Sequence, residues 1–596
     1  MNLLNTTTVK WVRSEYAVLI LVVVFFFLTP RGFEPGGESF GAWAAARRLA
    51  ETGSFTVFSR NPLYAAYLAL FLKLPFPTSL ILAFSITHLF VLISIYALLR
   101  TSLSTTKSII LTMVLAPVLG TVEGGGTVAA VGFFALYLRS FAPTKVNAWP
   151  FLPATLLAAG LCHSAYLPFI ALHLVVSSVL MLKGKLQGKR GAVSHGRLQD
   201  KVALLLMVGF TVTAFLFQSD RVDNNHMLMD PKFVPIPLSS AINIGFFQIK
   251  TWDLVEKTYD PSVLALKDWY FETPKFFGNA KTILEVASSD PKLFLNLIFK
   301  DVSAVPMLPL GFYSFYFFPA KISTILVSML ALTMPLIGII KLYRTHGIAP
   351  LFIIFIGGGG IIVALLLTNF VPRYQIILLP IFLLMYSLYL GNTTRVLKSS
   401  IYENRRVKNC IFILGCALMF SAAPFWYHNE RIAHECTSAD NPSFFGKVSK
   451  HACRKWKGVQ NQIVDIVDNN HFLNRENLGT SMWTAYPVLS KLIDKETRIL
   501  SLEHHFFIAF TDVGIDNNRQ IWSLPPYIDK SVYTNNFLNE IDIIFVSKDW
   551  ATESADRSTQ AYLRYKLHVL PYINANKSAF NVIEIPRYGR AYVRKV

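Results

Sequence analysis

The sequence predicts an α-helical polytopic membrane protein with about eleven transmembrane helices and a C-terminal extracytoplasmic α/β domain. Hydrophobic residues make up 53% of the chain and charged residues only 15%, whereas soluble proteins carry about 25% charged residues. The apolar residues are grouped into runs, of which 16–29 and 348–370 are the clearest. Each run approaches the roughly 20 residues that cross a hydrocarbon core.

Positive charges orient the predicted spans. A net charge of +20 would suit a nucleic-acid partner, but the Lys and Arg residues gather in short loops between apolar runs, as they do in membrane proteins. Nucleic-acid binding is therefore excluded, and membrane lipids are expected to surround the chain. The most basic loop, 183–201, marks the cytoplasmic side with Lys183, Lys185, Lys189, Arg190, Arg197 and Lys201.

With a cytoplasmic N-terminus, every strongly basic short loop falls on the same side of the membrane. The predicted membrane domain, 1–426, has outer loops at 31–77 and 218–318, and residues 427–596 follow it outside. We expect a multi-pass protein of the bacterial inner membrane. The predicted spans are 15–30, 78–99, 108–121, 126–142, a pair within 150–182 broken near His163, 202–217, 320–340, 348–370, 375–390 and 409–426.

The C-terminal segment, 427–596, has the mixed composition of a soluble domain. Short β-rich runs, TRILSL, DIIFVS and the paired FNVIEI and RAYVRK, follow a helix-like stretch, which predicts a small α/β domain. Cys436 and Cys453 are the two cysteines of this segment. An oxidising compartment would favour a disulfide between them, and the spacing alone leaves that pairing open.

Charged and titratable residues collect at the predicted outer face. A carboxylate there can accept a proton or hold a metal, and an arginine can bind phosphate oxygens through two hydrogen bonds. Acids and arginines together suit a phosphate-bearing substrate. The candidates are Glu34, Glu38, Arg60, Glu123, His163, Asp220, Arg221 and Arg373.

Structural interpretations stand beside these functional ones. The stretch 38–51 has the spacing of an amphipathic interfacial helix, with Arg47, Arg48 and Glu51 on its solvated face. Glu34 can be a loop carboxylate and Glu123 part of a glycine-rich turn. His163 and His88 can be packing histidines, and Arg373 can extend its charge from a helix end to the interface.

The order of residues in the first outer loop resembles the GT-C superfamily of membrane glycosyltransferases. The resemblance rests on Glu38, on the pattern Ala46-Arg47-Arg48-Leu49 followed by Gly53, and on Arg60-Asn61-Pro62-Leu63-Tyr64. Pro372-Arg373-Tyr374 before an apolar span is similar to a pair that opens a late span in many members. Members of this superfamily include protein mannosyltransferases and lipid A aminoarabinose transferases.

The resemblance implies sugar transfer from a polyprenyl-phosphate donor to a lipid, glycan or protein acceptor at the extracytoplasmic face, with inversion. It implies that Glu38 acts as the general base. It also implies that Arg373 and Tyr374, with Arg60 and Arg221, bind the donor phosphate.

The sequence departs from the superfamily at two points. The acidic position is Glu38-Ser39, whereas many members have Asp or Asp-Glu there. The second acid that completes a metal site in some members has no match, so the cofactor is unknown and a divalent metal stays an open alternative. The WWD signature of oligosaccharyltransferases is absent, which argues against that subclass.

Two other functions stay open on the sequence. A transporter or flippase of a lipid-linked or anionic substrate would show broken helices at mid-membrane depth, and the Gly357–Gly360 run is a hint of one. An O-antigen ligase or polymerase-like enzyme would also have a large outer loop, as at 218–318.

Overall fold

The computed structural model of the protein describes part of the chain, and its elements are helices followed by one sheet. The described residues are 37–53, 62–76, 78–120, 125–139, 152–186, 273–280, 283–302, 338–344, 348–367, 376–396, 486–501, 507, 510–511, 521–522, 538–547, 565, 569–585 and 589–595. The α-helices are α1 Gly37–Thr52, α2 Pro62–Ala69, α3 Thr78–Leu99, α4 Thr105–Gly120, α5 Gly125–Arg139, α6 Leu152–Cys162, α7 Leu167–Leu186, α8 Ile283–Ser289, α9 Pro291–Val302, α10 Ile348–Leu367, α11 Leu379–Val396 and α12 Leu570–Ala575.

Helix α3 coincides with the predicted span 78–99. Its 22 residues are long and apolar enough to cross a membrane, and within the described residues it is the one helix that passes that test. Shorter apolar helices lie at Gly125–Arg139, Leu167–Val176, Pro350–Val363 and Ile376–Leu390, where further spans are predicted. The predicted spans 15–30, 202–217 and 409–426 lie outside the described residues, as do residues 320–337 of the predicted span 320–340.

Helix α5 lies at the centre of the bundle and packs against α3, α6 and α11. Its Phe134 is fully buried. The ring centroid of Phe134 lies 4.4 Å from that of Tyr166 and 4.7 Å from that of Phe169. Burying large aromatic rings contributes more apolar contact than any other single side chain type, so this cluster holds α5 to the start of α7.

The predicted pair of helices broken near His163 is confirmed. Helix α6 ends at Cys162, a single 3-10 turn spans Ser164–Tyr166, and α7 begins at Leu167. Pro168 is the second residue of α7, where the missing N–H of proline costs no intrahelical hydrogen bond. The reversal therefore occurs within a few residues.

The Gly357–Gly360 run lies inside the continuous helix α10. A Cβ at Gly357 would lie 2.5 Å from the ring of Phe169, whereas a Cβ at Gly359 or Gly360 would meet nothing within 4 Å. Small residues at a helix interface let two backbones approach closely. Gly357 thus permits α10 to pack on α7, and the run does not break the helix.

The C-terminal residues form a five-stranded mixed sheet in the order β2-β1-β3-β5-β4. The pairs β1–β2 and β1–β3 are parallel, and β3–β5 and β4–β5 are antiparallel. The strand predictions in TRILSL and DIIFVS and the predicted pairing of FNVIEI with RAYVRK are confirmed. The strands are β1 Ile499–Ser501, β2 Ile521–Trp522, β3 Ile543–Ser547, β4 Phe580–Ile585 and β5 Gly589–Arg594.

The apolar interior of the sheet is continuous with that of the helices. Phe507 and Phe545 are fully buried on the sheet and belong to the same buried cluster as Trp43 of α1 and Leu80 of α3. The C-terminal part of the chain therefore shares a buried core with the helical part.

Candidate active site

Two of the candidate residues lie within the described part of the chain. Glu38 lies in the first turn of α1, although its side chain is outside the description, and His163 lies at the break between α6 and α7. The other candidates fall outside the described residues, namely Glu34, Arg60, Glu123, Asp220, Arg221, Arg373 and Tyr374, as do the cysteines Cys436 and Cys453.

Helix α1 carries Glu38 and is packed rather than exposed at the interface. Trp43 and the following alanines are buried, with Trp43 at 0% exposure. Helix α1 contacts both α2 and α5. Of the apolar residues whose spacing predicted an amphipathic helix, Trp43 is buried against protein, whereas Ala50 is exposed.

The prediction that Arg47 lies on a solvated face is wrong. Its side chain is 15% exposed, and its Nε donates to Glu51 at 2.6 Å. Its Nη1 donates to the backbone carbonyl of Thr511, in the C-terminal part of the chain. Arg48 is also turned inward, because its Nε and Nη1 are buried. Glu51 alone matches the prediction, with a 45% exposed side chain.

Aromatic side chains complete this contact between α1 and the C-terminal residues. The rings of Trp43 and Phe510 lie 5.4 Å apart. Phe76, two residues before α3, has its ring centroid 4.8 Å from that of Tyr486 and 4.9 Å from that of Phe510. Aromatic pairs at these centroid distances contribute about 0.5–1.5 kcal/mol beyond burial, so several such pairs fix the position of α1 against the C-terminal part.

The start of α2 meets the start of α5. The hydroxyl of Tyr64, which is 2% exposed, lies so close to Gly125 that a Cβ there would overlap it. A side chain at the first residue of α5 would therefore force the Tyr64 ring to shift. In the sequence, Tyr64 follows Arg60 by four residues and Gly125 follows Glu123 by two.

Polar side chains near the contact between Tyr64 and Gly125 form hydrogen bonds with the backbone of α3. Tyr67 and Thr87 both donate to the carbonyl of Ala83, at 2.7 and 2.8 Å. Thr87 also lies beside the Tyr64 hydroxyl, but within the described residues no hydrogen bond of standard geometry reaches that hydroxyl. His88 Nδ1 lies 2.9 Å from the carbonyl of Phe84, and this histidine is buried.

His163 shapes the break that it occupies. The amide of Ala165 donates to its Nδ1 at 3.2 Å, and the amide of Tyr166 donates to its carbonyl at 3.1 Å. The Tyr166 hydroxyl in turn donates to the carbonyl of Ile377 at 2.8 Å. Ile377 lies in the 3-10 turn Ile376–Leu378, which begins three residues after Arg373 in the sequence.

A buried polar pair lies deeper in the bundle and was not predicted. The Tyr137 hydroxyl and His173 Nδ1 lie 2.9 Å apart, linking α5 to α7. Both residues fall within apolar runs, and the available signal was the presence of a histidine inside a predicted span. Among the described residues, no group of three or more His, Cys, Asp or Glu side chains could hold a metal ion.

The contacts described above bring together helices and a turn that lie next to the candidate residues in the sequence. Helix α1 contains Glu38, α2 follows Arg60, α5 follows Glu123, and the turn before α11 follows Arg373. Helix α5 contacts α1, α2 and the 3-10 turn Ile376–Leu378. Helix α5 is therefore a meeting point for elements distant in sequence.

Comparison with known proteins yields structural similarity without sequence similarity. No family model matches the sequence, and no curated protein matches it. ArnT from Cupriavidus metallidurans, solved with undecaprenyl phosphate, aligns with a TM-score of 0.45 at 11% identity, over 98% of each chain. Two structures of the oligosaccharyltransferase AglB from Archaeoglobus fulgidus, one with a dolichol-phosphate and an inhibitory peptide, align with TM-scores of 0.36 and 0.37 at 13% and 11% identity, over 98% of this chain and 74% of theirs.

At these identities and TM-scores we transfer no residue correspondence, and the AglB alignments carry no argument for the oligosaccharyltransferase subclass. The ArnT alignment, with a TM-score of 0.45, likewise carries no argument about the activity of this chain.

Proposed function

We propose that the protein transfers a sugar from a polyprenyl-phosphate donor to an acceptor at the extracytoplasmic membrane face. The observation that carries this proposal is the packing on α5 of two elements of the first outer segment. Tyr64 of α2 meets Gly125, and α1, with Glu38 in its first turn, also contacts α5. These elements flank the acids and arginines of the predicted outer face.

In the proposed reaction, Glu38 accepts the proton of the acceptor hydroxyl as that oxygen attacks the anomeric carbon. The bond between that carbon and the phosphate oxygen breaks, and its electron pair leaves with the polyprenyl phosphate. A single displacement of this kind inverts the anomeric centre. General-base assistance typically contributes about 10²–10⁴-fold in rate.

The leaving phosphate gains negative charge, which fixed cations stabilise best where water is excluded. We assign this role to Arg373 with Tyr374, and to Arg60 and Arg221. The hydrogen bond from Tyr166 to Ile377 supports the assignment of Arg373, because it anchors the turn that follows that residue to the break at His163.

The proposed topology has about eleven spans in residues 1–426 and an extracytoplasmic domain in 427–596. The location is a membrane, and we propose the bacterial inner membrane. The acceptor is a lipid, a glycan or a protein. Glu34, Glu123, Asp220 and His163 remain candidates for acceptor contacts, and a disulfide between Cys436 and Cys453 remains a proposal.

The continuous course of α10 through Gly357–Gly360 gives no support to the transporter alternative, since that run was its main hint. The enzyme alternative of O-antigen ligase or polymerase type uses the same lipid-phosphate chemistry and differs in its acceptor.

The test uses the full-length protein in lipid nanodiscs with undecaprenyl-phosphate-linked hexoses and pentoses, each labelled in the sugar. Release of undecaprenyl phosphate reports transfer to any acceptor, and a membrane lipid extract supplies acceptors. We expect Glu38→Gln to lower the rate by about 10²–10⁴-fold, while Glu51→Gln, on the same helix, retains it. Equal rates for Glu38→Gln and the unmodified protein would remove Glu38 from the mechanism.

A further inference from the structure

Among the described residues of the C-terminal domain, Phe507, Phe510 and Thr511 of one short segment link its sheet to the helix of Glu38. Phe507 is fully buried, and its ring lies 5.9 Å from that of Phe545 on β3 in an edge-to-face arrangement. The amide of Thr511 donates to the carbonyl of Phe507 at 3.1 Å. The segment is thus anchored in the sheet at one end.

The other end of the segment contacts α1. Phe510 lies against Trp43, with ring centroids 5.4 Å apart, and the carbonyl of Thr511 accepts a hydrogen bond from Arg47. Trp43 and Arg47 are four residues apart and so lie on the same face of the helix. The sheet therefore holds α1 at two points on one face.

A further aromatic contact stabilises the same position. Phe76 lies between Phe510 and Tyr486, at 4.9 and 4.8 Å. Phe76 lies two residues before α3. The C-terminal domain therefore contacts both α1 and the residues that lead into α3.

We infer that Phe510 is a positioning residue for Glu38, so that the C-terminal domain contributes to the active site as well as standing beside it. This inference rests on the proposed function. Glu38 precedes Trp43 by five residues, about 7.5 Å along the helix axis. A shift of α1 at Trp43 is therefore carried to Glu38, and a misplacement of about 1 Å can cost on the order of 10²-fold in rate.

The C-terminal domain, residues 427–596, can have either of two roles, and they have different consequences. If residues 427–596 only bind acceptor, loss of the Phe510 ring leaves the chemistry at Glu38 intact. If they position α1, loss of that ring acts through Glu38 and has no further effect once Glu38 is removed, because residues that act as a unit are not additive.

The experiment compares Phe510→Ala with Tyr572→Phe in full-length protein in nanodiscs. Tyr572→Phe is the matched control, because it removes a hydroxyl that bonds Asn539 and Arg594 and so perturbs the same domain at contacts that do not involve α1. Release of undecaprenyl phosphate is measured with the labelled donor that gives the highest rate, and kcat and KM are determined separately. Each substitution is also made in the Glu38→Gln background.

We expect Phe510→Ala to lower kcat by about 10- to 100-fold with the donor KM within about 2-fold, and to have no effect in the Glu38→Gln background. Phe510→Leu, which retains apolar volume, should recover part of the rate, and it replaces Phe510→Ala if that variant unfolds. Wild-type kcat in the Phe510 variants, or the same fold loss with and without Glu38, would overturn the inference. Full activity of Glu38→Gln would instead overturn the proposed base, independently of Phe510.

Discussion

The hydroxyl of Tyr166 donates a hydrogen bond of 2.8 Å to the carbonyl of Ile377, across 211 positions of the sequence. Both residues are fully or almost fully buried. The bond joins the break after His163 to the turn that follows Arg373. Since a buried carbonyl without a partner is costly, this contact fixes the two segments against each other.

Tyr166→Phe tests that contact because it keeps the ring and removes the donor. We expect a loss of about 1 kcal/mol in the free energy of unfolding, as for other hydrogen bonds within membrane proteins. Tyr64→Phe is the control, because the buried Tyr64 hydroxyl makes no hydrogen bond of standard geometry among the described residues, and it should be neutral or stabilising. Thermal unfolding of both variants in the same detergent measures the difference, and equal effects would contradict the prediction.

The positions of several helices and strands could be predicted from local patterns in the sequence. The limits of α3 at Thr78 and Leu99 match the predicted span because its apolar run has the length of a membrane crossing and polar residues bound it. The pairing of β4 with β5 followed from two strand-like runs separated by a short turn. Such features depend on residues close together in the sequence.

The contacts at the candidate site join residues that are far apart in the sequence, and local sequence patterns did not predict them. Arg47 has the spacing of a solvated face on an isolated helix. It is mostly buried because Thr511, far along the chain, accepts its hydrogen bond. The Tyr166–Ile377 bond has no local signature either. Candidate residue types could be proposed from the sequence, but the partners that position them could not.

Gly357→Ala should destabilise the protein, because the added methyl group would lie 2.5 Å from the Phe169 ring. Overpacking of this kind typically costs about 1–3 kcal/mol. Gly359→Ala has open space around it and should be neutral or slightly stabilising, since alanine favours the helix by up to about 1 kcal/mol. Thermal unfolding of the pair separates these outcomes. A partial rescue of Gly357→Ala by Phe169→Leu would locate the clash, and no difference between the glycine variants would contradict close packing there.

The turn before β1 should make stability sensitive to acid. A hydrogen bond from the Thr497 hydroxyl to the Asp494 carboxylate, at 2.7 Å, lowers the pKa of Asp494 in the folded state, with a second bond from the amide of Glu496. The contribution of the Asp494 carboxylate to the stability of the folded protein is present above the unfolded-state pKa of about 4. It is lost as the pH falls through the lower pKa of the folded state.

Asp494→Asn should therefore lower stability at neutral pH and flatten the fall of unfolding temperature between about pH 5 and pH 2. Glu496→Gln, an exposed neighbour on the same turn, is the matched control. The unfolding temperature of the full-length protein in detergent is measured across this range. Parallel pH curves for Asp494→Asn and the unmodified protein would contradict the assigned bond.

Arg594 and Arg590 lie on the same strand, β5, and make different contacts. The Arg594 guanidinium donates to the carbonyls of Leu538 and Ile541 at 2.8 and 3.0 Å and to the Tyr572 hydroxyl at 2.9 Å. It also lies 5.0 Å from the centre of the Phe580 ring. It thus ties β5 to the segment before β3 and to α12.

Arg594→Lys should destabilise the sheet by about 2 kcal/mol, because a single ammonium cannot reproduce the fixed fork of donors or the stacking on Phe580. Arg590→Lys should cost between about 0 and 1 kcal/mol, since Arg590 forms an exposed ion pair with Glu584 and such pairs contribute little. Hydrogen exchange of residues 569–595 in the full-length protein, with thermal unfolding, compares the two variants. Equal protection of this segment in both would show that the Arg594 hydrogen bonds do not hold the sheet together.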